Sequence, residues 1–139
     1  MNTPKRFVRN AHDKKKRTSF SLVQAFLCAI RGLLYVLSTQ RNVKIYSVFI
    51  ALALILGFLL QISINAWLAV VLCIAVVLAA ESVNTAIESL VDLVSPEYAD
   101  LAKQAKDCAA AAVLVCAIGS LIVGVIVYGS SLAHVIGMG

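Results

Sequence analysis

Glu81, Asn84, Glu88 and Asp92 lie at offsets of 0, 3, 7 and 11 along a stretch that is otherwise apolar. At about 100° per residue, these offsets put all four within about an 80° sector of one helical face. Three carboxylates and an amide in that pattern offer two kinds of chemistry. A carboxylate drawn away from water is a competent general base, and hard carboxylate oxygens suit a small divalent cation that arrives bridged to phosphates. Ionisable groups beside hydrocarbon are costly, so they turn toward other helices or water and mark functional sites.

The elements that hold this stripe are membrane helices. The chain has 139 residues, 61% of them hydrophobic and only 14% charged, with a mean hydropathy of +0.93. That composition excludes a soluble domain and points to an all-α integral membrane protein. The expected spans are residues 45–64, 66–94 and 106–128. Residues 66–80 contain no charge but cover only about 22 Å of a core of about 30 Å, so the second helix must run on into the stripe, with Glu81 at the edge of the hydrocarbon. Pro96, in Ser95-Pro96-Glu97-Tyr98, disfavours helical geometry at Ser95. A short turn through Ala102 then brings Lys106 and Asp107 to the start of the third span, beside the end of the stripe.

Charge is as unevenly distributed as apolarity. Residues 1–44 hold ten of the twelve Lys and Arg residues and one acid, Asp13, whereas residues 81–107 hold six acids and two bases, Lys103 and Lys106. By the positive-inside rule the N-terminus and the stripe face the cytoplasm, in a multi-pass membrane protein. The connection at residues 61–65 and the C-terminal tail then lie outside. Residues 1–18 form a basic tail, and residues 19–139 the functional domain. Lys14–Arg17 precedes an apolar helix and no nucleic-acid fold, so its expected partner is an anionic lipid surface and not a nucleic acid. No apolar core precedes Ser19 as a signal peptide would require. Residues 19–38 read as an amphipathic helix lying in the membrane interface, with Arg17, Ser21, Gln24, Arg31 and Ser38 on its polar face.

Other chemistries find little support. Cys28, Cys73, Cys108 and Cys116 show no metal-ligand spacing and read as small packing residues, and His12 and His134 are remote from the stripe, which argues against a zinc enzyme. The chain has no GxxxxGK[ST] loop and no GxGxxG. Any phosphoryl transfer must therefore be carried out by membrane helices.

The string Glu81-Ser-Val-Asn84-Thr-Ala-Ile-Glu88-Ser-Leu-Val-Asp92, with Ser95-Pro-Glu-Tyr98 and Ala105-Lys106-Asp107-Cys-Ala-Ala, resembles the signature of the small prokaryotic diacylglycerol kinase family, which includes undecaprenol kinases. The resemblance extends from about Ser19 to about Tyr128. It implies an ATP-dependent, Mg²⁺-requiring lipid kinase, built as a homotrimeric bundle with sites shared between protomers, that phosphorylates a membrane lipid at the surface. By position, Glu81 resembles the base that takes the proton of the lipid hydroxyl, and Glu88 a metal ligand. Asn84, Lys106 and Asp107 match positions around the triphosphate and its Mg²⁺. Glu97 and Tyr98 match a nucleotide-contacting stretch, and Asp92 an organising acid. Two departures stand out: the family often has Glu where Gln40 stands, so that Gln40 offers the metal a carbonyl oxygen without charge, and Ala111 replaces a frequent Gly.

The expected reaction is transfer of the γ-phosphate of ATP to the hydroxyl of diacylglycerol, giving phosphatidate. Undecaprenol is the alternative acceptor, because the apolar spans do not distinguish the two lipids. A small transporter or channel subunit would carry its acids through the bilayer, yet residues 66–80 are uncharged. A structural helix-packing protein would explain Asn84 and Thr85 but not three acids. A catalytically inactive relative would owe its silence to Gln40. Self-association would further shield the three-carboxylate face from lipid.

Overall fold

The computed structural model describes residues 22–137. The basic tail at residues 1–18 and the first turn of the expected interfacial helix lie outside the described residues. Four helices follow one another: α1 (Leu22–Thr39), α2 (Arg41–Leu59), α3 (Ile64–Val94) and α4 (Asp100–Val135). All four are long and apolar enough to cross a membrane, and the described residues contain no strand. Large apolar side chains such as Phe26, Phe49, Leu72, Leu114 and Val125 are exposed on the single chain, as expected where the surrounding solvent is hydrocarbon.

Helix boundaries depart from the sequence expectation at each join, for local reasons. Only Gln40 separates α1 from α2; it is extended at φ −83° and ψ 121°, and its N–H donates to the Val36 carbonyl. α1 and α2 therefore meet at a one-residue elbow, flanked by buried Val36 and Val43. The next turn occupies residues 60–63, earlier than the anticipated 61–65. Gln61 takes a positive φ of 47°, and the Ser63 hydroxyl accepts from Ala66 N–H at 3.3 Å, which caps α3 at Ile64. No separate turn through Ala102 forms. Instead α4 begins at Asp100, whose carboxylate suits the first turn of a helix, and runs unbroken past residue 128 to Val135.

α3 packs most extensively against α4, and α1 and α2 attach to this hairpin. The buried positions on α3 are Val70, Val77, Glu81, Asn84 and Thr85, a seam that repeats every three, four or seven residues. Ala109 and Val113 are the buried positions of α4. At the turn between α2 and α3, a Cβ on Gly57 would stand 2.8 Å from ring atoms of Trp67, so only glycine permits this approach. Trp67 also meets Phe58, with ring centroids 4.9 Å apart. Across the bundle the Tyr128 hydroxyl donates to the Ala53 carbonyl at 2.7 Å, joining α4 to α2. These contacts set the height at which α3 presents its polar residues.

Candidate functional site

One face of α3 carries both the seam and the acids, so the apolar packing that buries Val70 and Val77 also draws Glu81 inward. Glu81 is 1% exposed, and neither of its carboxylate oxygens has a hydrogen-bond partner among the described residues. Asn84, one turn on, is buried as well. Its amide nitrogen donates to Glu88 Oε1 at 3.0 Å, while its Oδ1 is left without a partner. Glu88 is half-buried. Neighbouring hydroxyls do not relieve the orphaned oxygens. Thr85 Oγ1 donates to the Glu81 carbonyl at 2.9 Å, and Ser82 donates to the Leu78 carbonyl, so both are turned to the backbone.

The stripe then opens toward its far end. Asp92 is exposed and pairs with Lys106 of α4, an ion pair that ties the two long helices together just before their connection. At 38% and 67% side-chain exposure this pair contributes little to stability, so its consequence is to fix where the ammonium stands. Glu97 and Tyr98 are exposed in the connection, where the Glu97 carbonyl accepts from Ser95 and the Tyr98 hydroxyl donates to Asp100 Oδ1 at 3.0 Å. Asp107 is exposed beside Lys106, and Gln40 is half-buried at the elbow. The structure thus brings Glu81, Asn84 and Glu88 into one cluster and Asp92 and Lys106 into another. Among the described residues it shows no hydrogen bond or ion pair from the side chains of Glu97, Tyr98, Asp107 or Gln40 to either cluster.

Three further observations lay beyond the sequence reading. Glu81 is buried within a single chain, so shielding it does not require association; only the outer part of the stripe remains open. Cys28 and Cys108 are exposed while Cys73 and Cys116 are half-buried, so the packing role expected of all four fits only the latter two. A cavity of about 350 Å³ separates α1 from α3, lined by Gly32, Val36, Thr85 and Ser89 among others, and so opens beside the cluster.

The donor set suits Mg²⁺. The unpartnered Asn84 carbonyl oxygen and the carboxylate of Glu88 are hard ligands on adjacent turns. Among the described residues no three His, Cys, Asp or Glu side chains converge as a closed metal cage. An open arrangement of this kind matches a cation that keeps water and phosphate oxygens in its shell.

Comparison with known proteins agrees with this chemistry. The family model described as prokaryotic diacylglycerol kinase matches residues 27–128. A protein named undecaprenol kinase, from Bacillus subtilis, is 39% identical over 105 residues, a match that covers 76% of this chain and 85% of that protein. A protein named diacylglycerol kinase, from Synechocystis sp., is 41% identical over 105 residues, covering 75% of this chain and 60% of that protein.

Proposed function

The chain belongs to the prokaryotic diacylglycerol kinase family, a family of membrane lipid kinases, and on that premise we propose that it transfers the γ-phosphate of ATP to the hydroxyl of diacylglycerol. The carrying observation is the Glu81 carboxylate, buried yet unpartnered, with Asn84 and Glu88 on the following turns. Phosphoryl transfer asks the protein mainly for alignment and charge neutralisation, and one base to receive the proton of the alcohol.

Glu81 is that base. It takes the proton of the lipid hydroxyl as the alcohol oxygen bonds to the γ-phosphorus and the bond from phosphorus to the β-phosphate oxygen breaks, releasing ADP. Glu88 stands about 10 Å further along the helix axis, on the side from which the nucleotide approaches, and holds Mg²⁺ with help from the Asn84 and Gln40 carbonyl oxygens. Bound Mg²⁺ supplies neutralisation of the phosphate charge. Asn84 fixes the Glu88 carboxylate through its amide nitrogen. Lys106 exchanges its partner Asp92 for the triphosphate, with Asp107 alongside, and Asp92 keeps the ammonium in place until then. Glu97 and Tyr98, exposed in the connection, contact the rest of the nucleotide.

Orientation follows from charge: the Lys- and Arg-rich N-terminus and the site face the cytoplasm of a prokaryotic plasma membrane. α1 lies in the interface, residues 1–18 rest on anionic lipid, and residues 19–139 form the kinase domain. Homotrimer assembly covers the open end of the stripe and part of the exposed apolar surface.

Undecaprenol is the second reading for the acceptor, favoured by the match that covers 85% of the Bacillus subtilis protein. The test is transfer of labelled γ-phosphate from Mg·ATP by purified protein in mixed micelles, with diacylglycerol and undecaprenol offered separately. Labelled phosphatidate is the expected product. Product from undecaprenol alone would reassign the substrate, and product from neither would overturn the kinase reading.

A further inference from the structure

The cavity between α1 and α3 adjoins the turn that carries Glu81. It has a volume of about 350 Å³ and is lined from α1 by Gly32, Tyr35 and Val36 and from α3 by Ser82, Thr85 and Ser89. That volume is at the small end for a ligand site, room for the polar end of a lipid whose chains stay in the surrounding hydrocarbon. The hydroxyls on its α3 wall are already spent. Ser82 donates to the Leu78 carbonyl at 2.8 Å, Thr85 to the Glu81 carbonyl at 2.9 Å and Ser89 to the Thr85 carbonyl at 2.8 Å. Each hydroxyl has one proton, so none of the three can donate to a guest. Tyr35 differs. Among the described residues its phenolic hydroxyl has no hydrogen-bond partner, whereas the hydroxyls of Tyr98 and Tyr128 donate to Asp100 and to the Ala53 carbonyl. Helical side chains lean toward the preceding turn, and three residues before Tyr35 stands Gly32, where a Cβ would meet nothing within 4 Å. The ring therefore has open room on the side of the cavity.

We infer that Tyr35 is a specificity-determining residue for the acceptor: its phenolic O–H donates to an ester carbonyl of diacylglycerol whose glycerol end occupies this cavity beside Glu81. The inference rests on the kinase reading with diacylglycerol as acceptor. Diacylglycerol carries two ester carbonyls close to its free hydroxyl, and a carbonyl oxygen only accepts. A cavity that takes those esters out of water must return a donor, and Tyr35 is the lining side chain with one to give. At 56% exposure Tyr35 keeps its hydroxyl hydrated until the lipid arrives, so the net gain is that of one neutral hydrogen bond. A polyprenol, with hydrocarbon beyond its hydroxyl, gains nothing from this donor.

The test is steady-state transfer by full-length protein in mixed micelles, with diacylglycerol compared against a 1,2-dialkylglycerol that has the same chains and hydroxyl but ether links in place of esters. Tyr35→Phe keeps the ring and removes only the donor. It should raise KM for diacylglycerol about three- to tenfold, with kcat and KM for Mg·ATP unchanged, and leave KM for the dialkylglycerol where it was. Gly32→Leu fills open space without a clash and should raise KM for both glycerolipids alike. An unchanged KM for diacylglycerol in either variant would overturn the inference, as would equal losses on ester and ether lipid in Tyr35→Phe. Wild type that phosphorylates undecaprenol but neither glycerolipid would overturn the diacylglycerol reading and this inference with it, and wild type inactive on all three would overturn the kinase reading itself. Wild type active on diacylglycerol with unimpaired Tyr35→Phe sinks this inference alone.

Discussion

The two ends of the α2–α3–α4 bundle treat their polar groups in opposite ways. Near the α2–α3 turn the polar atoms are matched: Ser63 caps α3, Tyr128 donates to the Ala53 carbonyl, and Gly57 and Trp67 close against each other. Around Glu81 the apolar seam is continuous with that packing, yet two carboxylate oxygens and the Asn84 carbonyl oxygen are buried with nothing to bond. Leaving buried polar groups unpaired costs several kcal/mol when one of them is charged. One sequence meets the requirement at one end and not at the other. On the proposed reading, the difference separates a region built for stability from one held ready for a ligand that arrives from outside the chain.

Substitutions can break or sharpen that contrast. The largest effect is expected at Glu81. Glu81→Gln should reduce lipid phosphorylation about a thousandfold while nucleotide binding, followed by a fluorescent ATP analogue, persists. Loss of nucleotide binding would make the residue structural. Glu88→Gln should weaken the apparent affinity for Mg²⁺ about tenfold in a titration of activity, because a charged ligand becomes neutral. An unchanged Mg²⁺ dependence would remove Glu88 from the metal site. At the other end the currency is stability. Gly57→Ala places a methyl against the Trp67 ring and should cost about 1–3 kcal/mol in detergent unfolding, with activity per folded molecule retained. Tyr128→Phe loses one interhelical hydrogen bond and should cost about 0.6 kcal/mol. Were either turn-end variant to abolish transfer without unfolding, the division between the two ends would not hold.

Much of the fold was legible because its determinants are local. Uncharged runs and Lys/Arg asymmetry identify membrane helices, and the spacing of Glu81, Asn84 and Glu88 puts them on one face, where the structure has them. Boundaries were less legible, since they depend on single residues: the extended backbone at Gln40, the Ser63 cap and the favourable placement of Asp100 moved three joins by several residues. The depth of Glu81 was only partly visible. Its sequence neighbours suggest an apolar edge, but its near-complete burial arises from packing between helices, as does the Trp67 contact with Gly57. The same limit explains the cysteines, whose residue type favours burial while helix rotation leaves Cys28 and Cys108 outside. Lys106 was expected near the stripe; its pairing with Asp92 joins residues 14 positions apart on different helices.

The most direct test of the account is a paired measurement on Glu81→Gln: thermal unfolding in detergent and γ-phosphate transfer to diacylglycerol and undecaprenol, on the same preparation. Removing an unpaired buried charge at the proposed reaction centre should leave the melting temperature unchanged or raise it, while transfer to either lipid is lost. A lowered melting temperature with transfer retained per folded molecule would contradict the account and return Glu81 to a structural role.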